Sequence, residues 1–275
     1  MRASINYVAD RGDGIVPFVL DAQWTGADRV PTNVEICDAR TLSPAPSLDR
    51  EGIVLERLIS GVTDYRDQGQ LDALWLPAVA EMVKRVSGAR WVVPWASNVR
   101  FSNRDPLSSS TQVAAPARVA HSDLSPAFDP ARIGDEPVSA AAAAEIQRRL
   151  GGKAPKRWRA FNVWQQISPP PQDTPLAFCD LSTVAPEDIL DGQGTLGIPG
   201  SRTFGLTFFR ANPRHRWYYF SDMLPGEAVV FSAYDSEAGD VAGRVPHIAF
   251  DLPEPAANAV PRNSIEVRAL AVFED

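Results

Sequence analysis

The chain has three histidines, at positions 121, 215 and 247, so any imidazole chemistry must be built from a short list. His121-Ser122-Asp123 is an H-x-D tripeptide following the apolar stretch Ala114 to Ala120, which reads as extended. On a strand, residues i and i+2 point to one face, so this imidazole and carboxylate can reach a single ion together. A third ligand from a distant strand would complete a two-histidine, one-carboxylate facial triad, the arrangement that leaves adjacent positions open on iron(II). His247, in Arg-Val-Pro-His-Ile-Ala-Phe, is the candidate, because it opens a short apolar stretch late in the chain. Alone, H-x-D is a weak motif, and a random instance is more often a surface pair or a satisfied histidine than a metal site.

The residues beyond His247 add weight. Pro261-Arg262-Asn263-Ser264-Ile265-Glu266-Val267-Arg268 leads into the last predicted strand. A guanidinium offers a planar fork that matches a carboxylate bidentately, and a serine hydroxyl two residues on can donate to the same group from the same face. R-x-S thus suits the far end of a dicarboxylate, with Arg268 further along the same strand. Taken singly, Arg262 and Arg268 would read as edge-strand residues in surface salt bridges with Glu266 or Asp275. An H-x-D, a late histidine and an arginine heading the final strand, in that order, form a more specific signature. Arg100, Trp164 and Tyr218 are further candidates to touch substrate, Arg100 by meeting an acidic group. Each also has an ordinary reading: a solvent-exposed ion pair for Arg100, and core packing for Trp164 and for the aromatic run Trp217 to Phe220 beside His215. Cys179 reads as a small buried hydrophobe.

These residues resemble the iron(II)/2-oxoglutarate-dependent dioxygenases, in the branch typified by cephalosporin methoxylases and the fungal hydroxylase/desaturase proteins of secondary metabolism. Phe161-Asn162-Val163-Trp164, Pro175 to Asp180, His215 to Phe220, Tyr234-Asp235-Ser236, Pro246-His247 and Pro261 to Leu270 are similar to that branch's recurring segments, in the same order. The likeness runs from about Ile53 to the end. It implies a double-stranded β-helix with iron(II) held by His121, Asp123 and His247, and O2 and 2-oxoglutarate as co-substrates. Arg262 and Ser264 would grip the distal carboxylate. Oxidation of a small organic molecule by hydroxylation, desaturation or ring formation, with release of succinate and CO2, would result. Ser125 to Pro137, rich in proline and charge, departs from the branch, and substrate identity is expected partly there. Two other readings keep the barrel: a cupin-like isomerase or hydrolase using zinc or manganese, and a non-catalytic barrel that binds a small molecule.

The elements that must position these groups are mostly strands. Short apolar or alternating stretches separated by proline, glycine and aspartate predict strands at Arg90 to Val99, Arg157 to Ile167, Leu176 to Val184, Thr203 to Phe209, Arg216 to Phe220, Ala228 to Tyr234 and Ser264 to Phe273. The glycine-rich stretch Asp191 to Gly200 reads as a connection. Two helices are predicted. Leu71 to Gly88 places Leu76, Val79, Met82, Val83 and Val86 at three-to-four-residue spacing, with Pro77 as a kink or first turn; Ser139 caps an alanine run ending at Gly151-Gly152. This pattern predicts a mainly β fold with flanking helices, a cupin-like double-stranded β-helix or jelly roll. One domain over residues 1–275 is expected, with about 1–52 as an N-terminal extension packed on the barrel and about 90–275 as the jelly-roll core.

Composition narrows the partners. A net charge of −7 and a pI near 5.1 argue against a nucleic-acid partner. No apolar run approaches the roughly 20 residues needed to span a bilayer, and no apolar signal core comes after the first residues, so a cytoplasmic location without membrane is expected. Two cysteines, Cys37 and Cys179, are too few for a disulfide framework. The expected partner is a small-molecule substrate, and a homodimer is compatible with the sequence.

Overall fold

The computed structural model describes all residues except 13, 21–24, 102–115, 129–139, 154, 196–199, 201–202, 242 and 274–275. Ala114, Ala115, the Ser139 cap, Asp275, positions 129–137 of the Ser125 to Pro137 segment and positions 196–199 of the glycine-rich stretch therefore lie outside the described residues.

Four strands, β1 (Arg2–Val8), β2 (Ile15–Val19), β3 (Arg29–Asp38) and β4 (Ile53–Arg57), precede the first helix, Leu76–Ser87. β5 (Trp91–Phe101) and the two-residue β6 (His121–Ser122) come before the second helix, Ala140–Leu150. After it come β7 (Arg157–Gln166), β8 (Leu176–Cys179), β9 (Ile189–Thr195), β10 (Phe204–Phe209), β11 (Trp217–Tyr219), β12 (Glu227–Asp235), β13 (His247–Ala249) and β14 (Asn263–Phe273). They form a nine-stranded sheet, β1-β3-β11-β8-β13-β6-β10-β9-β2, and a five-stranded sheet, β4-β12-β7-β14-β5. Leu176, Phe178 and Ala249 from the first sheet pack on Trp164, Val229 and Phe231 from the second, so the two sheets face each other as a double-stranded β-helix, or jelly roll.

The period of two on the five-stranded sheet decides what faces what. Ile265, Val267, Ala269 and Ala271 of β14, with Phe161 and Val163 of β7, meet Trp75, Val79, Met82 and Val83 of the first helix. The alternate residues, Ser264, Glu266 and Arg268 on β14 and Asn162 and Trp164 on β7, point into the gap between the sheets. That helix is entered through an α turn, Gln68–Gln70, capped by Asp67, and a π turn, Leu71–Trp75. Pro77 lacks the N–H that a regular turn would need, and the wider turn lies just ahead of it. Gly88, at φ 72°, closes the helix. The second helix sets Ala142 and Ile146 against Trp95, Leu270 and Val272.

Three differences from the sequence-based expectation have local causes. β1 and β3 at one end of the nine-stranded sheet and β2 at the other expose alternate residues, which thins the apolar pattern. β9 runs through Gly192 and Gly194, where a Cβ would come within 2.9 Å of Leu206 and Phe208 and 2.6 Å of Phe18; the glycines permit a close approach inside a strand instead of marking a loop. β8 stops at Cys179 because Asp180 accepts from the Ser182 N–H at 3.0 Å and starts a 3₁₀ turn.

Trp75 is wholly buried and its indole N–H donates to Gln165 Oε1 at 2.7 Å, tying the first helix to β7. Trp75→Phe leaves that amide oxygen unanswered and is expected to lower the unfolding free energy by about 1–3 kcal/mol in denaturant titration. An unchanged midpoint would show that water reaches Gln165.

Candidate metal centre

β6 and β13 are neighbours in the nine-stranded sheet, and their register sets His121 directly opposite His247. The two rings lie with centroids 4.4 Å apart. Asp123 comes two residues after His121 and turns toward the same point, His121 Nε2 to Asp123 Oδ1 being 3.7 Å. The three donor atoms lie within 4.8 Å of one another. All three residues predicted as ligands are thus brought together.

The protonation of this group suits a cation. His121 Nδ1 faces the carbonyl of Val119 at 2.7 Å and His247 Nδ1 that of Val245 at 3.3 Å. A carbonyl can only accept, so each Nδ1 carries the hydrogen and each Nε2 turns a lone pair inward. His247 Nε2 is buried with no hydrogen-bond partner among the described residues. Burial, with His247 beside it, brings His121 down to about 4, and burial likewise lowers His247. Burial pushes the Asp123 carboxyl up, but the adjacent Arg268 cation outweighs it and holds the carboxylate ionised. At neutral pH the group therefore presents two neutral nitrogens and one anionic oxygen without losing a proton. The donor set fits iron(II).

The opposite sheet supplies the surroundings. Arg268 Nη2 lies 3.2 Å from Asp123 Oδ1, and Asn162 Nδ2 donates to Asp123 Oδ2. The same Asn162 nitrogen donates to Glu266 Oε1 at 2.7 Å, and Arg100 Nε stands 3.9 Å from Glu266 Oε2. Burial and the Asp123 charge push the Glu266 carboxyl up. Four residues before Glu266, Arg262 is 2% exposed. Its Nη1 donates to Thr174 O at 3.2 Å, its plane lies 5.5 Å over the Trp164 ring, and Asp173 Oδ1 anchors its backbone N–H at 3.1 Å. Arg262 Nε and Ser264 Oγ are buried without a hydrogen-bond partner among the described residues. Burial pulls the Arg262 guanidinium down to about 9, with Arg100 and Arg118 adding repulsion, so it stays cationic at neutral pH.

Other predicted positions fall elsewhere. Arg268 lies on the Asp123 carboxylate, Nη2 being 3.2 Å from Oδ1. Trp164 forms the floor under Arg262. Arg100 sits opposite Ser264 on β5 and so faces the same gap. Tyr218 packs between the sheets with Trp164, Phe178 and Phe231, and Asp180, Arg216 and Cys37 are among its ionisable neighbours. His215 belongs to a separate buried network: Trp217 Nε1 donates to Tyr7 Oη at 2.9 Å, Tyr7 donates to His215 Nδ1 at 2.8 Å, and His215 Nε2 donates to Asp188 at 3.1 Å. Cys179 is buried, and burial pushes its thiol far up, which keeps it inert. Asn162 and Glu266 are site residues that the sequence reading does not pick out. Their signal was the polar residue at every second place, Arg262, Ser264, Glu266 and Arg268, and a lone asparagine in the apolar run of β7.

Comparison with known proteins gives the family. The family model described as "Oxidoreductase/YMDC permease-like domain" matches residues 5–273. The Fe(II)/2-oxoglutarate-dependent dioxygenase nvfI of Aspergillus novofumigatus is 32% identical over 260 residues, 90% of this chain and 84% of that one. The alpha-ketoglutarate-dependent dioxygenase phiK, from a fungal species, is 29% identical over 279 residues, 99% of this chain and 96% of that one. Among solved structures, the iron and alpha-ketoglutarate-dependent endoperoxidase NvfI superposes with a TM-score of 0.77 at 27% identity, covering 100% of this chain and 98% of that one. The chain belongs to the iron(II)/2-oxoglutarate-dependent dioxygenases, within the oxidoreductase family whose model spans it. It is an oxidoreductase acting on a small molecule, and the cupin-like hydrolase and non-catalytic readings give way. No helix among the described residues is long and apolar enough to cross a membrane.

Burial also lowers His215, so all three imidazoles titrate below their unfolded value near 6.5. The folded state then binds fewer protons than the unfolded one, and stability present above about pH 6.5 is lost as pH falls toward the folded values, about 4 for His121. Urea unfolding of the metal-free protein should show a decline of up to about 1.4 kcal/mol per pH unit for each imidazole over that window. His215→Asn should remove one share of the slope; a flat profile in the parent protein would contradict the neutral, buried assignment.

Proposed function

We propose that His121, Asp123 and His247 hold iron(II), that Arg262 and Ser264 bind the distal carboxylate of 2-oxoglutarate, and that the enzyme hydroxylates, desaturates or cyclises a small organic metabolite. The observation that carries this is the coincidence of three buried orphans in one gap: His247 Nε2, Arg262 Nε and Ser264 Oγ. A buried polar atom left unanswered costs about 1–3 kcal/mol, and a buried cation without an anion costs more. A cation at the first and a carboxylate at the other two would satisfy all three together.

Iron(II), 2-oxoglutarate and O2 together supply an oxidant strong enough to take hydrogen from an unactivated carbon, with succinate and CO2 released. The chain's own work is positional. Nδ1–H bonds to the Val119 and Val245 carbonyls fix both rings with Nε2 inward. Asn162 occupies Asp123 Oδ2, which leaves Oδ1, shared with Arg268, as the oxygen offered to the metal. Trp164 supports the Arg262 plane from below, so the guanidinium is set before the co-substrate arrives. Arg100 and Glu266, across the β5–β14 pair, are the polar groups nearest the co-substrate pocket left to meet the organic substrate. We assign a cytoplasmic location, supported by two cysteines that are both free thiols.

The test is anaerobic titration of the metal-free protein with iron(II), then 2-oxoglutarate, monitored by the visible charge-transfer band of the chelate. Arg262→Ala is expected to weaken 2-oxoglutarate binding about 10- to 100-fold, the loss of one charge-assisted carboxylate contact. His247→Ala should abolish the band, and His121→Ala should abolish succinate release with any substrate. Robust turnover by His121→Ala, or no band in the folded parent protein, would remove the assignment.

A further inference from the structure

The segment that carries Asp123 is held by its own carbonyls. Thr207 Oγ1 donates to Leu124 O at 2.7 Å. Arg244 Nη2 donates to Ser125 O at 2.9 Å and to Pro126 O at 3.2 Å, while Nη1 donates to Val241 O at 3.2 Å. Three successive carbonyls beyond the carboxylate ligand are thus tied down by two side chains. Arg244 is 2% exposed, lies 5.8 Å over the Tyr234 ring and has no salt-bridge partner among the described residues. A cation buried against carbonyls and an aromatic face is costly to keep, so what it holds must be valuable to the fold or to the site.

Its place in the chain separates those two. Arg244 comes three residues before His247, and the carbonyls it grips come two and three residues after Asp123. One guanidinium therefore spans the two segments that bring metal donors together. Its contacts are to backbone carbonyls and not to any of the three donor side chains. The action is geometric. Thr207 reinforces it, being opposite Ser122 in the β10–β6 pair.

We infer that Arg244 is a positioning residue that staples the His121–Asp123 segment to the strand carrying His247, presetting the spacing of the three donors before any metal arrives. The inference rests on the proposed metal centre. Lysine keeps the charge but replaces a planar fork with a point donor, so it cannot span Ser125, Pro126 and Val241 together. Arg244 tunes the centre as an outer partner, and loss of such partners weakens metal binding about 10- to 100-fold.

The experiment titrates the full, metal-stripped chain anaerobically with cobalt(II), reading both affinity and the visible ligand-field band, and tracks amide hydrogen exchange in the same metal-free samples. In Arg244→Lys, cobalt(II) affinity is expected to fall about 10- to 100-fold, with an altered band and faster exchange across Asp123 to Phe128. Thr207→Val, which deletes only the hydroxyl, should move all three readouts the same way by less. Arg159→Lys, a buried cation paired with Asp235 at 3.2 Å outside the site, should lower thermal stability and leave cobalt(II) affinity alone. A folded Arg244→Lys with parental affinity and band overturns the staple while the metal centre stands. If Arg244→Lys does not fold, unchanged affinity and exchange in Thr207→Val overturns it. A parent protein that binds no cobalt(II) overturns the metal centre and the staple together.

Discussion

A dry gap between two β-sheets tolerates polar groups only if each finds a partner, and here several of them find it across the gap instead of within one sheet. The nine-stranded sheet brings His121, Asp123 and His247 to its inner face; the five-stranded sheet brings Asn162, Arg262, Ser264, Glu266 and Arg268 to the face opposite. Neither set is satisfied alone. Asp123 needs Asn162 and Arg268 from the far side, and the unanswered atoms of His247, Arg262 and Ser264 need something that neither sheet contains. The separation of the sheets is fixed by Phe178, Phe231, Trp164 and their neighbours, and with it the spacing of the polar groups that face each other across the gap. Ligand binding and core packing depend on the same layer of side chains.

Within that gap, electrostatics is arranged so that the metal ligands are ready at neutral pH. Burial disfavours charge on every group; the imidazoles yield to it and Glu266 is pushed the same way, while Asp123 is not. Asp123 stays ionised because Arg268 and Asn162 answer both of its oxygens, at close range and in a low dielectric. Glu266, a short step away, accepts from the Asn162 nitrogen already shared with Asp123, and the Arg100 guanidinium stands at 3.9 Å. Two carboxylates bridged by one amide thus differ in readiness to hold charge, with the better-supported one at the metal position.

How much of this was legible depended on whether the information was local. The H-x-D pair, the late His247 and the alternation Arg262, Ser264 could be read because a strand's period of two and the chemistry of a carboxylate fork are properties of the residues themselves. The same alternation put Arg268 on the right face but could not say that a metal-ligand carboxylate would claim it first, since that distance is set by the packing of two sheets. Tyr218 illustrates the converse: an aromatic on a predicted strand, it does face the gap, packing with Trp164, Phe178 and Phe231, and no local pattern reports whether a ring there serves packing or a ligand. β9 was hidden because its glycines answer to Phe18 and Phe208, residues far away in the chain. Asn162 stood in plain view in an apolar strand, and its role appeared only when a carboxylate was found on each side of its amide.

The division of labour stems from where rigidity is available. The donors proposed for metal and co-substrate are held by the sheets, with side chains locked by backbone carbonyls and by the Trp164 face, as suits a chelate that tolerates little error in spacing. Arg100 and Glu266, the polar candidates proposed for the organic substrate, lie where the edge strand β5 meets β14. A rigid chamber of this kind leaves the choice among hydroxylation, desaturation and ring closure to whatever fixes the substrate's orientation. That choice can change by substitution at the chamber's mouth while every donor inside the gap stays where it is.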